Sequence, residues 1–125
     1  GHVPQTLIMR HHNTNKKFRR ERDQRRVFMN SLAEALITKE RILTTETRAK
    51  AVRPYVESLI TKGKHLSLAS RRGILSDLGG RAKAAKKVVE VLAPRFKDRK
   101  GGYTRITKVA RRSSDGRQSA VIEFV

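Results

Sequence analysis

The sequence predicts an α+β domain in α-β-α-α-α-β-β order. It would have a small sheet with a C-terminal antiparallel hairpin packed on helices, plus a basic N-terminal arm. Three observations carry this expectation. Apolar residues recur at three- and four-residue steps through Phe28–Leu36, Ala49–Ile60 and Ala85–Leu92, which is the period of a helix face. The period changes near the end, where strand-like runs at Tyr103–Arg112 and Gln118–Val125 flank Ser113-Ser114-Asp115-Gly116. Asp-Gly between two such runs marks a hairpin. Basic residues crowd the start: Arg10, Lys16, Lys17, Arg19, Arg20, Arg22, Arg25 and Arg26 are opposed only by Glu21 and Asp23.

Each element has a local reason. Residues 9–22 carry strong like charge, one aromatic (Phe18) and the turn-favouring Asn13-Thr14-Asn15. Such a stretch buries too little to fold alone, so it reads as an extended arm ordered against a partner. Residues 1–8 read as an extra extension or tag remnant, and 23–125 as one folded domain. Phe28, Leu32, Ala35 and Leu36 set the first helix, Asp23–Lys39. Arg25 and Arg26 would fall in its first turn, against the helix dipole, where a phosphate would relieve them. Arg41-Ile42-Leu43-Thr44-Thr45 is short and β-branched, hence a strand.

Thr45 or Thr44 then caps a second helix, with Glu46 favourable in its first turn. Ala49, Val52, Val56, Leu59 and Ile60 form its apolar face, and Gly63 is placed to end it. Pro54 removes a backbone hydrogen bond and predicts a kink or a split. Leu68, Leu75 and Leu78 mark a poorer third helix, Ser67–Leu78, weakened by Gly73 and broken by Gly79-Gly80. A fourth, Arg81–Ala93, turns Ala85, Val88, Val89 and Leu92 inward and stops at Pro94, with Lys83, Lys86 and Lys87 on its other side. The last strand is nearly continuously apolar, with Ile122 and Phe124 on the helix side and Val121 and Val125 opposite.

Composition narrows the function. The 125 residues suit one domain, or one domain with a tail. Hydrophobic residues are 37% and aromatics 5%, so the core is small and aliphatic. Thirty basic residues against 11 acidic give +19, which calls for a polyanionic partner. The absence of Cys excludes disulfides, thiolate metal sites and cysteine nucleophiles. No apolar run approaches a membrane span, and the start carries no signal-peptide core. The acids are dispersed beside Lys or Arg, with Glu46 four residues before Lys50, a helix-surface spacing, and Glu34 five before Lys39. No carboxylate or histidine cluster suits acid–base or metal chemistry. His11-His12 lacks a third ligand, and His65 reads as a loop residue. Gly63-Lys64 lacks the rest of a phosphate loop, and Gly79-Gly80 and Gly101-Gly102 lack dinucleotide spacing. The chain therefore reads as a binding protein with no catalytic residue, cofactor, metal or small-molecule substrate, and no membrane partner.

The basic residues carry the signal. Lys and Arg neutralise phosphates and release counterions, and Arg contacts phosphate bidentately and stacks on unpaired bases. The first candidate group is Arg10, His11, His12, Asn13, Lys16, Lys17, Arg19, Arg20, Arg22, Arg25 and Arg26. The second is Arg95, Lys97, Arg99 and Lys100 beside Gly101, Gly102, Tyr103 and Arg105. There glycine would bring backbone amides to a phosphate, and Tyr103 would stack on a base or brace the loop. Arg111, Arg112 and Arg117 flank the hairpin tip and could grip the same polyanion.

Several motifs occur in a familiar order: Met9-Arg10-His11, Glu40-Arg41-Ile42-Leu43-Thr44-Thr45-Glu46, Arg53-Pro54, Leu59-Ile60-Thr61, Leu92-Ala93-Pro94-Arg95-Phe96-Lys97-Asp98-Arg99 and Gly101-Gly102-Tyr103-Thr104-Arg105-Ile106. Over about Met9–Val125 they closely resemble the bacterial-type large-subunit ribosomal protein family seventeen. Residues 73–84 fit more loosely, and residues 1–8 precede the family's usual start. The resemblance implies a structural constituent of the large ribosomal subunit, in the cytoplasm or an organelle. It would bind the large rRNA near the polypeptide exit, beside neighbouring large-subunit ribosomal proteins, with neither catalysis nor cofactor. The rival reading of the residues is a free-standing, sequence-nonspecific DNA-binding protein of nucleoid type. No heptad seam or base-reading recognition helix favours it.

Overall fold

The computed structural model describes residues 5–112 and 116–125, with side chains described for residues 16–110 and 116–125. The elements are α1 (Gln5–Lys39), β1 (Arg41–Thr45), α2 (Glu46–Gly63), α3 (Leu68–Asp77), α4 (Ala82–Lys87), a π-helical segment (Val88–Leu92), α5 (Ala93–Arg95), β2 (Thr104–Arg112) and β3 (Gln118–Phe124). The α+β class and the element order are as expected, with the fourth helix in three consecutive pieces.

The three strands form one antiparallel sheet in the order β1-β3-β2. The last strand is thus the central one, which is why it is the most apolar. Register sorts its two faces. Ile42, Ile122 and Ile106 stand side by side across the three strands, on the side where Ala120, Ile122 and Phe124 are buried. One residue along, Arg41, Glu123 and Arg105 form the corresponding row on the opposite face. The pairing of β2 with β3 shifts register between Lys108 and Arg112, toward the hairpin end. Residues 113–115 of the expected turn lie outside the described residues, and Gly116 follows with a φ of 81°.

Helix α2 packs across the inner side of the sheet and meets α1, α3 and the π segment on its other sides. Its expected face, Ala49, Val52, Val56, Leu59 and Ile60, is buried throughout. Thr45 caps it, accepting a hydrogen bond from the Arg48 N–H at 3.3 Å, with Glu46 in the first turn. It is not split at Pro54. Pro54 is exposed, as is Lys50, whose carbonyl loses its donor, so water can serve that carbonyl. Gly63 is the last helical residue but does not act through a left-handed turn. A β-carbon there would meet Ala93 Cβ at 3.1 Å and Val88 Cγ1 at 3.2 Å, so glycine permits α2 to press against the fourth helix.

Helix α3 is capped by Ser67, whose Oγ accepts from the Ser70 N–H at 3.1 Å, and the chain turns away after it at Gly79 and Gly80, both with positive φ. Its inward residues are Ile74 and Leu78, while Leu68 and Leu75 are exposed, which corrects the expected face. Asn30, Tyr55 and Asp77 tie three helices together. The Tyr55 hydroxyl lies 2.8 Å from Asn30 Oδ1 and also bonds the Asp77 carbonyl. Burial, and then the Asp77 charge, push the Tyr55 hydroxyl pKa upward.

Pro94 does not stop the fourth helix, which continues to Arg95. The widened turn just before it, closed by Ala93 N–H to the Val88 carbonyl, lets the chain accept a proline with no N–H to donate. Phe96, Tyr103 and Phe124 then close the core between that helix and the sheet, with ring centroids 5.2 Å apart for Phe96–Tyr103 and 6.2 Å for Phe96–Phe124.

The largest departure is at the start. The expected extended arm is helical: α1 runs unbroken from Gln5 to Lys39. Arg, Lys, Gln and Glu are good helix formers, and no Gly or Pro interrupts the stretch. The C-terminal half is held by packing, so the costly nucleus exists already and the helix extends outward from it. Arg25 and Arg26 are therefore mid-helix, and the expected conflict with a first-turn dipole does not arise.

Candidate nucleic-acid interface

Among the described side chains of α1, which begin at Lys16, the first buried one is Asn30. From Lys16 to Phe28 every side chain is exposed except the half-buried Glu21. At about 1.5 Å per residue, the 35-residue helix is roughly 50 Å long, and much of it stands clear of the domain. Lys16, Lys17, Arg19, Arg20, Arg22, Arg25 and Arg26 are exposed along this projection. Among the described residues, none of them forms an ion pair. Arg10, His11, His12 and Asn13 lie on the same helix, but their side chains fall outside the described residues.

Among the described residues, six acids pair with cations of the folded body. Glu34 pairs with Arg81, Glu40 with Lys87 and Arg95, and Glu46 with Lys50 and Lys108. Glu57 pairs with Arg53, Asp77 with Lys62, and Glu123 with Arg41 and Arg105. The expected Glu46–Lys50 pair forms, whereas Glu34 turns to Arg81 across the helices. This pairing separates cations that brace the fold from cations left open.

The loop after α5 divides along the same line. The Arg95 guanidinium is bound by Glu40, and Arg105 donates to Glu123 Oε1 from Nε at 3.1 Å and Nη2 at 2.8 Å. Both therefore brace the fold rather than stand open. Tyr103 is 2% exposed, a burial that argues against stacking of its ring on a base. Its ring packs on Phe96, Lys64 Nζ lies 4.6 Å from its centroid, and its hydroxyl meets Thr61 Oγ1 at 3.3 Å. The core takes the ring because it is the flat apolar body next to Phe96, and the hydroxyl still finds a partner.

The Gly102 N–H is likewise engaged, donating to Glu57 Oε1 at 3.0 Å, so it does not face a phosphate. Burial opposes ionisation of Glu57, but hydrogen bonds from Arg53, Thr104 and Gly102 outweigh it and hold the carboxyl below its ordinary range. Gly101 and Gly102, with φ of 128° and 62°, shape the turn into β2. Arg99 Nε donates to their carbonyls at 3.3 and 3.1 Å, fixing the turn. Lys97 and Lys100 remain exposed, with no ion pair among the described residues. Arg111 and Arg112 end β2 with side chains outside the described residues, and Arg117 is exposed just before β3.

Further open cations lie outside the expected site residues. Arg71 and Arg72 on α3, Lys83 on α4 and Arg48 on α2 are exposed and, among the described residues, have no acid partner. Arg48 lies over the Phe28 ring at 5.0 Å from its centroid. A readable signal existed: none of the four has an acid three or four residues away. Among the described residues no cluster of His, Asp or Glu could hold a metal ion. No helix among them is long and apolar enough to cross a membrane.

Residues 28–125 match the family model described as Ribosomal protein L17. The chain is also similar to several proteins named large ribosomal subunit protein bL17. That of Hydrogenobaculum sp. is 48% identical over 118 residues, covering 94% of this chain and 99% of the relative. That of Nautilia profundicola is 47% identical over 120 residues, covering 94% and 98%. That of Bradyrhizobium diazoefficiens is 46% identical over 117 residues, covering 94% and 84%. The resemblance carried by the Leu92–Ile106 motifs is thereby upheld, and the chain belongs to the Ribosomal protein L17 family.

Proposed function

We propose that this protein is a structural constituent of the large ribosomal subunit that binds the large rRNA through the projecting part of α1 and the exposed lysines after α5. One observation carries the reading: the open positive charge on α1 extends away from the folded body in a chain of this family. A helix lined on several sides by Arg and Lys that have no acid partner among the described residues fits phosphates approaching from more than one direction. Residues 9–22 act as the RNA-binding segment, with residues 1–8 as an extension of it. The body from residue 23 fixes the helix in place and offers its remaining surfaces to neighbouring large-subunit proteins. No catalytic step is assigned to it. The free-standing DNA-binding alternative gains nothing from the family membership.

The test is cosedimentation. Tagged protein in a cell extract should run with large subunits and stay there through a moderate salt wash. A variant with Lys16, Lys17, Arg19 and Arg20 changed to Gln should be recovered mainly at the top of the gradient. Wild-type protein found only at the top, or on DNA, would overturn the reading.

A further inference from the structure

We propose that Phe18 is a stacking platform for an unpaired base in the RNA held by α1. The inference rests on the reading of α1 as an RNA-binding helix and adds what that site selects, a looped or splayed strand over a regular duplex. Phe18 is 59% exposed, and among the described residues its ring meets neither another ring nor a cation. Phe28, the other exposed phenylalanine of α1, already has the Arg48 guanidinium 5.0 Å from its ring centroid. The Phe18 ring gains by leaving water, and on a helix held clear of the domain its occupant comes from outside.

Charge decides what that occupant is. Lys17 and Arg19 flank Phe18, and Arg22 and Arg25 follow on the same helix face at four and seven residues. An apolar protein surface laid on the ring would leave these cations without partners. A nucleotide satisfies both demands, with its base on the ring and its neighbouring phosphates on the cations. In a duplex the base faces are covered by their neighbours, so only an unpaired base can supply one. The ring's direction is also fixed. Ala33 and Leu36, fully buried, lie fifteen and eighteen residues along on the same side of the helix, so the packing of α1 sets where Phe18 points.

The experiment titrates the full chain, at fixed salt, with an RNA hairpin bearing an open loop and with a blunt RNA duplex of equal phosphate count. The variants are Phe18→Leu, Phe18→Trp and Arg19→Gln with Arg20→Gln. Phe18→Leu should weaken hairpin binding about five- to hundred-fold, the range of base–aromatic stacking, and leave the duplex within about twofold. Its melting curve should match the wild type. The chain has no Trp, so Phe18→Trp introduces a single indole, whose emission should be quenched by the hairpin and little by the duplex. Unchanged hairpin affinity, an equal loss on both RNAs, an unquenched indole or a lowered melting temperature would each overturn the proposal. The double arginine variant separates the two readings. If it binds both RNAs as wild type, α1 is no RNA site and both readings fall; if it weakens both while Phe18→Leu does not, only the stacking role falls.

Discussion

The carboxylate of Glu40 binds the guanidinium of Arg95, joining the corner where α1 turns into the sheet to the last turn of the fourth helix. Glu40 sits at a φ of 64°, and its N–H closes α1 onto the Leu36 carbonyl at 2.7 Å. Its own carbonyl accepts from the Phe124 N–H at 3.1 Å. Lys87 Nζ reaches the second carboxylate oxygen at 3.2 Å. One residue thus pins a helix end, a strand end and two basic side chains.

This arrangement has a pH signature. The Arg95 hydrogen bond, aided by Lys87 and opposed by burial, lowers the Glu40 carboxyl from 4.5 to about 2. A carboxylate with a lowered folded-state pKa adds stability that is full above its unfolded value and lost as pH falls through the folded one. The pair is partly exposed, so its worth is about 1 kcal/mol or less. Glu40→Gln should therefore be less stable than wild type near neutrality, with the gap closing as pH falls from about 4.5 to 2. Melts across that range check it, and a gap independent of pH would show that the carboxylate charge contributes nothing. Glu40→Gly should cost less than Glu40→Ala, because glycine takes a positive φ without strain.

Two glycines should respond with opposite signs. Gly63→Ala forces a β-carbon against Ala93 and Val88 and should cost about 1–3 kcal/mol, the usual range for overpacking. Gly73 lies inside α3 with nothing within 4 Å of an added β-carbon, so Gly73→Ala should stabilise by about 0.5–1 kcal/mol. Denaturant titration of both variants measures this directly.

The aromatic cluster should be structural. Phe124 and Tyr103 are buried against Phe96, and truncating either to Ala should cost about 3–5 kcal/mol. Thermal melts are the readout. A Tyr103→Ala variant with an unchanged melt and weakened RNA binding would restore the base-stacking role that its burial argues against.

The loop lysines should behave the other way. Lys97→Ala with Lys100→Ala should leave the melt unchanged, since exposed charges add little stability. It should weaken RNA binding by about 1.5–3 kcal/mol for each charge-assisted hydrogen bond to phosphate that the substitution removes. Wild-type affinity in a paired melt and titration would confine the site to α1 and the helix faces.

Much of this was legible in the residues. Thr45 and Ser67 announce their helices by hydroxyls placed to take a free N–H, and the change of period at Tyr103 announces the hairpin. The misreadings share a cause: each position was judged by local propensity while a distant neighbour decided it. Leu68 is as apolar as Ile74, but only Ile74 reaches the core. Gly63 does end α2, but the reason is the close approach of Ala93 and Val88 and not a left-handed turn. Tyr103 looks like a loop aromatic until Phe96 is beside it. The arm looks extended because its charge forbids independent folding, yet the packed half of α1 supplies the nucleus. In the site, Arg95 and Arg105 cannot be told from Lys97 and Lys100 by sequence, because Glu40 and Glu123 are brought to them only by the fold.

The salt dependence of RNA binding tests the central claim most directly. If the projecting helix and the loop lysines neutralise about six to eight phosphates, log K should fall with log salt at a slope of about −4 to −7. Changing Lys16, Lys17, Arg19 and Arg20 to Gln should make the slope shallower by about 3, at 0.7–0.9 per phosphate. A wild-type slope shallower than about −2, or a variant slope equal to the wild type, would contradict the account, since the open charges of α1 would then merely face solvent.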